Sequence, residues 1–234
     1  MALDVPHARE ALALVERLGP RADFVKVGLQ LFTAAGPAVV RELRRLGLRV
    51  FLDLKLHDIP NTVAHAVHAA AGLGVELLTL HASGGPTMLA AARRAADAAG
   101  EAPRLLAVTV LTSLSDAELG TAWGRSGLRS GDEVERLAGL AADAGLDGVV
   151  AAVPEVPSIR ARAPELRILT PGIRLAGGEA HDQARVATPA EAAALGVDYV
   201  VLGRAVTAAA DPAAALQRAL AELAGAAAVS EEVA

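Results

Sequence analysis

Eight times along the chain, a short apolar run of β-forming residues gives way to a stretch with helical periodicity. The runs fall at 2–4, 23–28 (DFVKVG), 49–55 (RVFLDLK), 75–82 (VELLTLHA), 104–111 (RLLAVTVL), 147–152 (DGVVAA), 167–173 (RILTPGI) and 198–203 (DYVVLG). The helical patterns between them cover 7–18, 30–46, 61–72, 87–99, 131–144, 155–163, 189–195 and 212–224. A spacing of roughly 25 residues per unit leaves room for one crossover helix each time, which is what a parallel strand pair requires. Strands that alternate with helices are covered on both faces, so they read as continuous apolar runs. Eight such units in 234 residues favour a closed (β/α)8 TIM barrel of α/β class over an open doubly wound sheet. No linker-like stretch divides the chain, so residues 1–225 are expected to form one barrel domain, with 226–234 as a frayed tail.

Composition removes several functions. The formal net charge is −5, against the clustered excess of Lys and Arg that a nucleic-acid surface needs, so no nucleic-acid partner is expected. Cysteine is absent, which excludes thiol nucleophiles, disulfides and thiolate metal sites. No apolar run approaches the roughly 20 residues that would span a bilayer. The opening MALDVPHARE lacks a basic segment followed by an apolar core, so neither a membrane nor a secretory route is expected and the cytoplasm is the default.

In a (β/α)8 barrel the chemistry sits where strands end and the following loops begin. The polar residues at those ends are Asp4, Lys26, Asp53 with Lys55, His81, Thr112 with Ser113, Arg174, and Gly203 with Arg204. Period-two alternation puts Phe51, Asp53 and Lys55 on one face of their strand and Leu52, Leu54 and Leu56 on the other. The leucines suit the surrounding helices, so Asp53 and Lys55 point into the barrel mouth, as do Phe24 and Lys26 on the preceding strand. Of the 22 basic residues only Lys26 and Lys55 are lysine. In a chain that uses Arg wherever charge alone suffices, a retained Lys points to a compact ammonium that can give up a proton. A barrel-filling ion pair would also account for Asp53 and Lys55. Asp58, just past the strand end, adds a third carboxylate to the region.

After the seventh run the chain reads TPGIRLAGGEAHDQAR, and the eighth ends VVLGRAVT. Loops in these positions commonly bind phosphate, with backbone N–H groups near Gly203 and the Arg204 guanidinium as donors. Gly172, Gly177 and Gly178 suit a lid; an ordinary glycine-rich loop would read the same way. His57, His65, His68 and His81 show no metal-ligand spacing and are read as solvated or interface side chains.

FLDLKLHDIPNT at 51–62 matches the pattern D-x-K-x-x-D-I-P-N-T, and with it the chain resembles the bacterial orotidine 5′-monophosphate (OMP) decarboxylase family. ALDV, VKVG, VTVLTS, TPGIR, HDQAR and VLGRAVT match in the same order over nearly the whole chain. The resemblance implies a homodimeric (β/α)8 barrel without a cofactor or metal that releases CO2 from OMP to give UMP, the last step of pyrimidine nucleotide synthesis. By position it implies that Lys26, Asp53, Lys55 and Asp58 form the charged catalytic network. Asp4 and Lys26 would meet the ribose, Thr112 and Ser113 the base, and Arg174, Gln183, Gly203 and Arg204 the phosphate and its lid. Asp58, Ile59 and Thr62 would complete the partner subunit's site. His181 departs from the family, standing where an acidic residue is common.

Two other readings share these features. A sugar-phosphate decarboxylase such as 3-keto-L-gulonate 6-phosphate decarboxylase carries D-x-K-x-x-D but uses Mg2+ and lacks the I-P-N-T continuation. A catalytically inert barrel that only binds a nucleotide phosphate would have no need of the complete Asp53, Lys55 and Asp58 set.

Overall fold

The computed structural model describes residues 1–175 and 186–232. Seven parallel strands follow in strict chain order, each hydrogen-bonded to the next. They are β1 (Phe24–Gly28), β2 (Arg49–Leu56), β3 (Leu77–His81), β4 (Arg104–Val108), β5 (Gly148–Val150), β6 (Arg167–Thr170) and β7 (Tyr199–Val200). The eighth expected strand, at 2–4, is reduced to a bridge, and it is this bridge that closes the cylinder. Ala2 N–H donates to the Leu202 carbonyl at 2.8 Å, and Leu3 N–H donates to that of Lys26 at 2.9 Å. The segment thus ties the chain after β7 to β1 as a full strand would. Among the described residues no helix is long and apolar enough to cross a membrane.

Helices lie outside the strands, and two depart instructively from the sequence pattern. The pattern over 30–46 divides into α1 (Leu29–Ala35) and α2 (Pro37–Arg45). Gly36 adopts φ 62° between them, and Pro37 can begin a helix but not continue one. The final helix, α3 (Pro212–Glu232), runs on past 224, where the helical pattern in the sequence ends. Its Ala-rich sequence has the high intrinsic helix propensity to extend past Gly225. An unforeseen helix, α4 (Asp116–Trp123), starts at Ser115, whose hydroxyl accepts from Glu118 N–H while the Glu118 carboxylate accepts from Ser115 N–H. That reciprocal capping box was legible in the S-x-x-E spacing.

The alternation of side chains splits the apolar core in two. Phe51, Leu77, Leu106, Val108, Val150 and Leu169 pack inside the barrel, with Phe24, Tyr199 and Val201 against them. Their neighbours Val50, Leu52, Leu78, Leu105, Ala107, Val149 and Ile168 belong to the separate layer between sheet and helices. The inner cluster floors the barrel. The polar inward residues therefore lie above it, at the strand ends.

Candidate active site

A cavity of about 510 Å³ opens above that floor. Nine of the residues picked from the sequence line it: Asp4, Lys26, Asp53, Lys55, Thr112, Ser113, Arg174, Gly203 and Arg204. Gln30, at the start of α1, joins them without a sequence signal to single it out. Asp58, Ile59 and Thr62 are not brought to the cavity of their own chain. The Asp58 carboxylate instead accepts from Ile59 N–H at 2.6 Å, and Ile59 is 66% exposed. Gln183, and with it Gly177, Gly178 and His181, lies outside the described residues.

Charges alternate along one wall. Lys26 Nζ donates to Asp4 Oδ1 at 2.9 Å and lies 3.6 Å from Asp53 Oδ2. Lys55 Nζ meets both oxygens of Asp53 at 2.8 Å. Burial alone would push the Asp53 carboxyl up. The Lys55 and Lys26 ammoniums, with hydrogen bonds from Lys55 and Thr79, outweigh it and hold the group below the ordinary carboxylate range. Asp53 is therefore ionised at neutral pH in a nearly dry setting, which strengthens its field.

Lys55 reaches this position by a route that alternation did not predict. The β2–β3 register passes from Leu52↔Leu78 to Leu56↔Leu80, so extra residues on β2 oppose Thr79. Within that bulge Lys55 adopts φ 50°, the left-handed region, alone among the described non-glycine residues. Bulges of this kind re-aim a side chain. Lys55 N–H, displaced from the ladder, donates to Thr79 Oγ1 at 3.0 Å, and Thr79 Oγ1 donates in turn to Asp53 Oδ1 at 2.9 Å. Gly28 is a second residue the sequence reading passed over. A Cβ there would lie 2.8 Å from Lys26 Nζ and 3.1 Å from Asp4 Oδ1, so only a glycine lets that pair sit against the backbone.

The remaining wall is apolar, formed by Val108, Val110, Val150, Leu169 and Val201. Arg174 is buried, with Nη1 donating to its neighbour's carbonyl, Ile173 O, at 2.9 Å. Arg174 N–H donates to Ala187 O at 2.9 Å. Gly203 and Arg204 open a four-residue helix, α5 (Arg204–Thr207). The His57 and His81 rings lie 5.3 Å apart between centroids, tilted at 41° to one another. Burial foremost, and then the neighbouring His57 and Lys55, push the His81 imidazole down. Among the described residues no group of three or more His, Asp or Glu side chains is arranged to hold a metal ion.

A family model described as orotidine 5′-phosphate decarboxylase / HUMPS family matches residues 1–219. The chain belongs to this family. It is similar to the orotidine 5′-phosphate decarboxylase of Dichelobacter nodosus, 51% identical over 224 residues that cover 95% of this chain and 97% of that one. The enzyme of the same name from Sodalis glossinidius is 52% identical over 225 residues, covering 95% of this chain and 88% of its own length. The crystal structure of orotidine 5′-phosphate decarboxylase from Lactobacillus acidophilus superposes with a TM-score of 0.83 at 38% identity, covering 95% of this chain and 96% of that one. The family description spans more than one activity, but these relatives carry the decarboxylase name across almost their full length.

Proposed function

We propose that this chain decarboxylates orotidine 5′-monophosphate to UMP and CO2, as the carboxy-lyase of pyrimidine nucleotide biosynthesis. The observation that carries the reading is the ionised Asp53 held between two ammoniums at the end of a half-apolar cavity that also holds two arginines. Loss of CO2 from C6 of the pyrimidine leaves a carbanion with little resonance relief. A site for it must be complementary to negative charge that develops only in the transition state. Lys55 is the cation for that charge and the proton donor that quenches it. Asp53 orients Lys55, and its charge beside the substrate carboxylate favours departure of CO2.

The distal phosphate falls to Arg204, Arg174 and the backbone at Gly203, with Gln183 as a further contact. Asp4 and Lys26 take the ribose hydroxyls, and Thr112 and Ser113 flank the base against the apolar wall. Binding energy gained at the phosphate is then available to align C6 with Lys55. No cofactor or metal enters this scheme.

The active unit in this reading is a homodimer. Asp58, Ile59 and Thr62 stand clear of their own cavity, and Ile59 offers an exposed apolar side chain to a second copy. Each site would be completed by the partner's aspartate.

The test is UMP formation from OMP, followed by the absorbance change on loss of the carboxylate, with and without excess EDTA. Turnover that EDTA leaves untouched is expected. Absence of turnover with OMP, or turnover abolished by EDTA and restored by Mg2+, would move the chain to the sugar-phosphate or inert-barrel alternatives.

A further inference from the structure

Thr79 lies on β3, fully buried, and its hydroxyl closes a ring of hydrogen bonds with the two residues at the centre of the site. Lys55 N–H donates to Thr79 Oγ1, Thr79 Oγ1 donates to Asp53 Oδ1, and the same Asp53 oxygen accepts from Lys55 Nζ at 2.8 Å. We propose that Thr79 is a positioning residue for the decarboxylation, the clamp that keeps the Lys55 ammonium seated on Asp53. The inference rests on Lys55 and Asp53 being the reacting centre.

Four physical facts support the clamp. A left-handed backbone is uphill for any side chain bearing a Cβ, so the φ of 50° at Lys55 persists only if the surroundings hold it. The register slip takes Lys55 N–H off the ladder, and a buried N–H left unpaired is costly. The Thr79 hydroxyl supplies the missing acceptor and spends its single proton on Asp53, which suits a group with one donor and two lone pairs. Threonine is also β-branched, so its χ1 is stiff and the hydroxyl is aimed before substrate arrives. Valine would fill the same space and supply neither bond.

A positioning role and a packing role predict opposite orders among three substitutions. Thr79→Val keeps the volume and loses the hydroxyl, Thr79→Ser keeps the hydroxyl and loses a methyl group, and Thr79→Ala loses both. Positioning predicts that Val and Ala lose roughly ten- to hundredfold in kcat while Ser stays within about threefold of wild type. Affinity for UMP, which is held through phosphate and ribose, should stay near the wild-type value in all three, so that kcat moves and binding does not. Packing predicts instead that activity follows thermal stability, with Val best preserved. If kcat follows that second order, or if UMP affinity falls in step with kcat, the inference is overturned. Should Thr79→Val fail to fold, Ser against Ala decides alone, since both remove volume and only Ser keeps the hydroxyl. Lys55→Ala serves as the control. If it turns over normally, the assignment of the reacting centre has failed; if it is inactive while Thr79→Val is not, only the role of Thr79 has.

Discussion

Lys55→Met removes the ammonium and keeps the stem, so it isolates what the charge contributes to both stability and turnover. In the native site Lys55 makes two contacts of 2.8 Å to Asp53, with the two side chains 29% and 12% exposed. A charge-assisted hydrogen bond contributes about 1.5–3 kcal/mol net. The two contacts share one ammonium, solvent screens part of them, and Asp53 retains Thr79 and, at 3.6 Å, Lys26. The expected net loss is then about 2–3 kcal/mol at neutral pH, a fall in Tm of roughly 5–10 °C for a chain of this length. The sign of its pH dependence follows from Asp53. In the native protein its carboxyl is held below the usual range, so it stabilises the fold above the unfolded-state pKa, and that contribution fades as the pH falls through the folded-state pKa. Without the ammonium, burial, the largest single influence on the group, is opposed mainly by Lys26 and Thr79, and the folded-state pKa rises. The variant's deficit should therefore be widest near neutrality and narrow as the pH falls through the variant's raised folded-state pKa towards the lowered native one, because the unfolded carboxyl is common to both proteins and cancels. Urea unfolding of both proteins at pH 7 and near pH 4.5 measures it, alongside turnover with OMP, which should be almost wholly lost. A deficit independent of pH would refute the electrostatic account of Asp53, and near-normal turnover would remove Lys55 from the chemistry.

Three further outcomes follow from the same geometry. Arg204→Ala should weaken binding of both OMP and UMP by about 2–3 kcal/mol, the loss of a bidentate charge-assisted contact; unchanged UMP affinity by calorimetry would place the phosphate elsewhere. Gly28→Ala should push the Lys26 ammonium off Asp4 and lower kcat/KM with little change in Tm, because Gly28 has ordinary negative φ and the clash falls on the end of a flexible side chain. Kinetics equal to wild type would show that the pair can shift at no cost. Inactive Asp58→Ala and Lys55→Ala homodimers, mixed and allowed to exchange subunits, should regain activity in the one site per mixed dimer that carries neither defect. Exchange confirmed by mass spectrometry without recovery would return Asp58 to its own subunit.

The repeating pattern of apolar runs and helical stretches was enough to determine the barrel, because a parallel strand buried on both faces has few other places to go. Period two was likewise enough to send Phe24, Lys26, Phe51 and Asp53 inward and Val25, Val27, Val50 and Leu52 outward, since the pleat leaves no freedom in that choice. The two lysines that composition singled out, Lys26 and Lys55, both line the cavity. What the linear pattern could not carry is whatever depends on how one strand meets another. Closure by a bridge at Ala2 in place of a strand depends on where the two ends of the sheet come together. The left-handed turn at Lys55 arises from a register slip against β3, a property of the pair and not of either strand. Thr79, which reads in sequence as one more residue of an apolar run, acquires partners only when that slip sets Lys55 N–H opposite its hydroxyl. Gly28 matters because the Lys26 ammonium, two residues back along the chain, comes to rest where its Cβ would be. The residue types at the site were thus written locally, while the contacts that hold Lys55 and Asp53 in place were decided by packing between strands.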